Sequence, residues 1–239
     1  MKMVFISLLV MGFVISCKKE ENTNLDIHFI LKNNNENVVY NKTYKSIKNR
    51  NFTVEKFKMY ISDFSFLDMN GNTFNIDKIF LVNNDSKFSI VLPDGAKEFN
   101  TISFSVGIDS FTNNTINPLL LPEDDVLSLN NDMFWDMTRY RFLLWEGTYD
   151  NSVLGTSTPS SPYSFHIGRD RNLRKITLTN NINLAIDNNI DLSLDINQLF
   201  YNASDTLDFL TTFSNHSNDS ELEEAAIIMN NLSQSFTIE

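Results

Sequence analysis

The sequence predicts a mainly β protein: an antiparallel β-sandwich with a C-terminal α-helix and one or two short helices. Three observations carry that expectation. Apolar and polar residues alternate over several short runs, the pattern of strands with one buried face. Turn-forming clusters separate the runs, as in "DMNGN" at 68–72 and "LPDGAK" at 92–97. No alternating helices stand between the strands, which argues for antiparallel sheets packed as a sandwich.

The first element is a leader. "MKMVFISLLVMGFVISCKKEEN" sets Lys2 before an apolar run from Met3 to Ile15, followed by Ser16 and Cys17. The run is too short to span a bilayer as a mature helix and has the layout of a secretory signal peptide. Val14-Ile15-Ser16-Cys17 resembles a bacterial lipobox, which implies cleavage before Cys17 and its acylation; the alternative is an ordinary signal peptide with an incidental Cys. Residues 1–16 are thus read as a lipoprotein signal peptide, 17–24 as a lipidated Cys17 with a flexible tether, and 25–239 as one domain. Acyl chains contribute about 0.8 kcal/mol per buried methylene, so several of them anchor firmly. The expected location is the cell envelope, lipid-anchored at the outer membrane, on its periplasmic or its outer surface.

The strands follow in order. Leu25, Ile27, Phe29 and Leu31 alternate with Asp26, His28 and Ile30; Phe88, Ile90 and Leu92 form a second run, and Ile102, Phe104, Val106 and Ile108 a third. Ile182, Leu184 and Ile186 read the same way, as do Ile190, Leu192, Leu194 and Ile196. Short helices are expected within 121–132 and 195–200. The C-terminal helix is announced by Ser220 and Glu223 as a capping box, with Leu222, Ala225, Ala226, Met229 and Leu232 at helical spacing.

Charge and composition narrow the function. A net charge of −11 over 239 residues argues against nucleic acid, whose phosphates need a basic footprint. Cys17 is the single Cys, so the domain holds no internal disulfide, no Cys-rich zinc site and no thiol nucleophile. No nucleophile elbow, phosphate loop or His-Glu-x-x-His is present, and the chain is expected not to be an enzyme. Three His remain: His28 and His166 on strand faces opposite the apolar residues, and His216 in the polar loop "SNHSNDS". They are either solvated residues of no consequence or parts of a site, and 138 positions of separation cannot say whether the first two meet. In "DMFWDMTRYRFLLWEG", 132–147, Met133, Trp135 and Met137 share a face if the segment is extended. Core packing explains such a triad as readily as ligation does.

Several pieces of the chain together resemble the MbnP-like proteins, many of them Bacteroidetes lipoproteins. They are Tyr60-Ile61-Ser62, the Gly107-Ile108-Asp109 turn with Asn113, Met133-x-Trp135, Tyr140-x-Phe142, Glu146-Gly147 and Phe165-His166-x-Gly168. The resemblance runs over roughly 25 to 239. It implies copper binding in the periplasm or at the surface, beside a dihaem peroxidase-like partner that oxidises a Trp in founding members. Family members carry His where His28 and His216 stand. The expectation is therefore that His28 and His166 converge, with His216 or Met133 completing a copper site near Trp135, the candidate oxidised residue. Imidazole suits copper and thioether selects Cu(I). Two departures put the Trp chemistry in doubt: Met137 stands where the family has a second Trp, and Arg139 where it has Gly. The competing reading is a surface sandwich that binds a protein or glycan without metal, with the loop at 148–164 as its contact surface.

Overall fold

The computed structural model describes residues 23–92, 98–184, 186, 188–201 and 206–239. The signal peptide, Cys17 and most of the tether lie outside the described residues. Two sheets pack face to face. The smaller has five strands: Thr23–Asn33 at its centre, Asn189–Asp195 beside it, Phe236–Ile238 beyond that, and Glu36–Asn37 and Asp85–Leu92 on the opposite side. The larger has eleven, along the path Arg174–Asn183, Glu98–Val106, Lys56–Asp68, Arg139–Tyr149, Ser161–Gly168 and Ser214–Asn215. Most pairs are antiparallel, as the alternation implied. The first strand is an exception, pairing in parallel with Asn189–Asp195 from Asp26↔Asn189 to Lys32↔Asp195.

The main core lies between the sheets and is filled by the inward residues of both. Leu25, Ile27, Phe29 and Leu31 of the smaller sheet meet Phe57, Met59, Trp145, Phe165 and Ile167 of the larger. Fully burying each such side chain stabilises by about 1.5–3 kcal/mol. Trp145 anchors one end, its indole within 5.2–6.1 Å, centre to centre, of the rings of Tyr163, Phe165, Phe200 and Phe209.

A second core forms on the outer face of the larger sheet. There Tyr60, Tyr140, Phe142 and Leu144 project outward and are covered by Ile108, Leu127 and Met133. The cover comes from the segment after Val106, which includes the helix Ser110–Thr115. The strand Arg139–Tyr149 is consequently buried on both faces, which is why Arg-Tyr-Arg-Phe-Leu-Leu-Trp shows no clean alternation. Tyr60 and Tyr140 donate their hydroxyls to the carbonyls of Val126 and Leu127 (2.9 and 3.0 Å), tying the cover down.

Local expectations fare unevenly. The helix Leu222–Ser233 buries Ala225, Ile228, Met229 and Leu232, but no capping box forms. Glu221 occupies the cap position, and Ser220 instead donates its hydroxyl to Asn218 Oδ1 at 2.7 Å. Ile196–Phe200 is a 3-10 helix capped by Asp195. The 121–132 segment contains only the short 3-10 turn Leu129–Asn131, because Asp125 folds back to accept from the Leu127 amide at 2.8 Å. A helix not anticipated, Ser110–Thr115, starts where Asp109 accepts from the Thr112 amide. The strand at Arg174–Asn183 stops before Leu184, leaving Ile186 at 84% exposure, so the period-two run there is not all strand.

Candidate functional site

The site is built on the outer face of the larger sheet, beside the second core. His166 sits on the Ser161–Gly168 strand directly opposite Leu144, with Phe165 and Ile167 turned into the main core. The two-residue strand Ser214–Asn215 adds in parallel to that strand, with Ser164 opposite Ser214 and Phe165 opposite Asn215. This register carries the next residue, His216, alongside His166. Buried Asn215 fixes the bend: its Nδ2 donates to Glu221 O and its Oδ1 accepts from the Ser217 amide. The His216 amide donates to the Glu221 carboxylate at 2.7 Å.

Trp135 completes the cluster from the third side. It lies on the short strand Phe134–Trp135, paired with Arg139 across a tight turn. The three rings stand edge to face: His166 and His216 at 4.9 Å between centres, Trp135 and His216 at 5.3 Å, Trp135 and His166 at 6.1 Å. The Arg141 guanidinium covers the indole at 5.4 Å from its centre and pairs with Asp132 at 3.7 Å.

Glu146 decides the chemistry of His166. Its carboxylate stands 2.5 Å from Nε2. A carboxylate only accepts, so Nε2 carries the proton and, in the neutral ring, Nδ1 keeps the lone pair. That Nδ1 is buried and has no hydrogen-bond partner among the described residues. Leaving a buried polar atom unpaired costs about 1–3 kcal/mol, which a bound cation would relieve. The hydrogen bond from His166, and then its charge, hold the Glu146 carboxyl below the usual carboxylate range against the opposing effect of burial. Burial, followed by the charge of His166, lowers the His216 pKa and favours its neutral, ligating form. The Nδ1 of His216 lies 3.3 Å from Ser214 Oγ.

The predicted ligands divide. His166, His216 and Trp135 come together; His28 does not join them. Its strand belongs to the smaller sheet and its ring faces out from that sheet, held by Asp85 at 2.7 Å and Asp191 at 3.2 Å. Stacked sheets lie about 10 Å apart, so outward side chains on opposite sheets are separated by more than that, and the expected His28–His166 pair is corrected. Met133 is fully buried in the second core with Tyr140 and Phe142. Met137 sits in the turn between the paired strands and is exposed, so the two Met do not share a face with Trp135. Among the described residues no three His, Cys, Asp or Glu side chains are poised together as metal ligands. Sequence reading gave Glu146 only within the family-like piece Glu146-Gly147, without a role in the site, and missed Arg141 and Ser214.

Beside Trp135 an open groove of about 610 Å³ runs between Pro118, Leu119, Leu129, Phe134 and Arg139. Trp135 lines this groove and also contacts both imidazoles.

Comparison with protein families matches residues 22–222 to MbnP. The chain belongs to the MbnP family. Among solved structures, MbnP from Methylosinus trichosporium is similar at 14% identity, with a TM-score of 0.61 over 91% of this chain and 98% of that one. At that identity the likeness concerns the MbnP fold. No curated protein matches.

Proposed function

We propose that this MbnP-family protein is a copper-binding lipoprotein of the cell envelope that captures or hands on the metal through His166 and His216. The observation that carries the proposal is the buried, unpartnered Nδ1 of His166, backed by Glu146 and facing a second imidazole. A ligating His characteristically donates its other nitrogen to a carboxylate, which raises its basicity and fixes its orientation. Imidazole nitrogens suit copper. Trp135, in contact with both rings, is the residue a dihaem peroxidase-like partner would reach, and the groove it lines offers the approach.

Titration of the domain 18–239 with Cu(I) against a competing chelator tests the reading. One equivalent is expected to bind tightly, with tight binding lost in His166→Ala and in His216→Ala. If the wild-type domain never competes with the chelator, the copper reading fails. The groove and the exposed Val153–Leu154 loop tip then favour a surface that binds a protein or glycan.

A further inference from the structure

We infer that the end of the sandwich carrying Met69, Val91 and Ile186 rests on the lipid bilayer; this builds on the anchored reading of Cys17. The domain's first strand begins at this end, where Thr23 pairs with Leu92 and Asn24 with Val91. Asn188 reaches across to donate to the Asn24 carbonyl at 3.3 Å. Residues 18–22 separate Cys17 from Thr23. Even fully extended, that many residues reach only about 20 Å, so an acylated Cys17 holds this end within reach of the headgroups.

What the end presents fits that placement. Met69 is 64% exposed, Val91 55% and Ile186 84%. Met69 and Ile182 line one shallow depression, and Ile182 and Ile186 line the next, so Met69 and Ile186 belong to one continuous surface. The polar residues between them include the Asn amides at 180 and 181. Amides hydrogen-bond to headgroups of any charge. The carboxylates among the described residues here are engaged: Asp68 accepts from the Asn70 and Asn72 amides within its turn, Glu98 accepts from Asn183, and Glu239 accepts from Lys32 and Ser193. Exposed apolar side chains ringed by hydrogen-bonding groups match the chemistry of an interface between headgroups and acyl chains.

The placement sets the height of the copper site. Leu144 lies opposite both His166 and Lys58, and Lys58 is ten residues along its strand from Asp68. At about 3.3 Å per residue the imidazole pair stands roughly 30 Å above the membrane-facing end. Trp135 and its groove are then presented to partners in the aqueous phase.

The acylated full chain in phosphatidylcholine vesicles containing spin-labelled lipid provides the test. Cys17 is the only native Cys and is consumed by acylation, so Ile186→Cys, Met69→Cys and Leu154→Cys each offer one thiol for a fluorophore. Leu154 lies at the opposite end, in the loop between Tyr149 and Ser161, and is the reference. Quenching at 186 and 69 is expected to exceed that at 154 at least threefold. The excess should persist when twenty Gly/Ser residues are inserted after Glu21. Equal quenching at the three positions in an anchored chain overturns the orientation. Loss of the excess on lengthening the tether overturns docking, since proximity then came from the leash alone. Recovery of the chain in the carbonate-wash supernatant, before any vesicle is made, overturns the anchor on its own.

Discussion

The Glu146 carboxylate and the His166 ring share a 2.5 Å hydrogen bond at Nε2, and that contact leaves the lone pair on Nδ1, which has no hydrogen-bond partner among the described residues. Glu146→Gln keeps the volume but weakens the acceptor. Metal affinity is expected to fall by about 10–100-fold with little change in the unfolding midpoint. A competition titration beside a urea melt measures both, and an unchanged affinity would detach Glu146 from the site.

His28 serves as the counter-test. It faces Asp85 and Asp191 on the other sheet. His28→Ala is expected to leave copper binding within error and to change stability by no more than about 1 kcal/mol, as for surface pairs. A loss of tight binding in this variant would contradict the placement of its strand.

Met133 is a core residue, so its sulfur is dispensable. Met133→Leu should cost less than about 1.5 kcal/mol and leave Cu(I) affinity unchanged. Met133→Ala should cost about 2–5 kcal/mol through the cavity it leaves. A Leu variant that folds normally but loses Cu(I) would reinstate the thioether as a ligand.

Acid should weaken the fold through His216. Burial and the neighbouring His166 lower its pKa from the ordinary 6.5. The unfolded chain therefore binds the extra proton first. The stabilising contribution is present above pH 6.5 and is lost as pH falls through the lower, folded-state value. Urea midpoints at pH 7.5 and pH 5.5 should differ, and His216→Gln should reduce the difference. Equal pH dependence in the two proteins would exclude His216 as its source.

Gly107 takes φ +111 where the chain leaves the larger sheet for the cover of the second core, and a Cβ there would stand 2.5–2.9 Å from the Phe142 ring. Gly107→Ala combines backbone strain with overpacking and should cost at least about 2 kcal/mol. Gly71 also has positive φ (+86), but nothing lies within 4 Å of its missing Cβ. Gly71→Ala should cost clearly less. Chemical denaturation of both variants reads the difference.

The β-class and most strand positions were legible in the sequence because burial on one face writes a period of two into the chain, as at Leu25, Ile27, Phe29 and Leu31. The short helix at 196–200 was legible within the expected 195–200, while its cap, Asp195, was seen only in the structure. The capping-box signal failed because other contacts, made with residues preceding the helix, competed for the same groups. Ser220 gave its hydroxyl to Asn218, and Glu221 became the partner of the His216 amide. "RYRFLLWEG" lost its alternation because a second layer covers its outer face. The sequence by itself supplied the candidate ligands, His28, His166, His216 and Met133, with Trp135 as the candidate oxidised residue, in a chain whose one Cys precedes the domain. Which of them meet was decided by tertiary structure alone. His28 and His166 both alternate with core residues, and that pattern says only that each points away from the core. It cannot say from which sheet. The parallel addition of Ser214–Asn215 beside Ser164–Phe165 is a pairing between segments about fifty positions apart, and it is what brings His216 to His166.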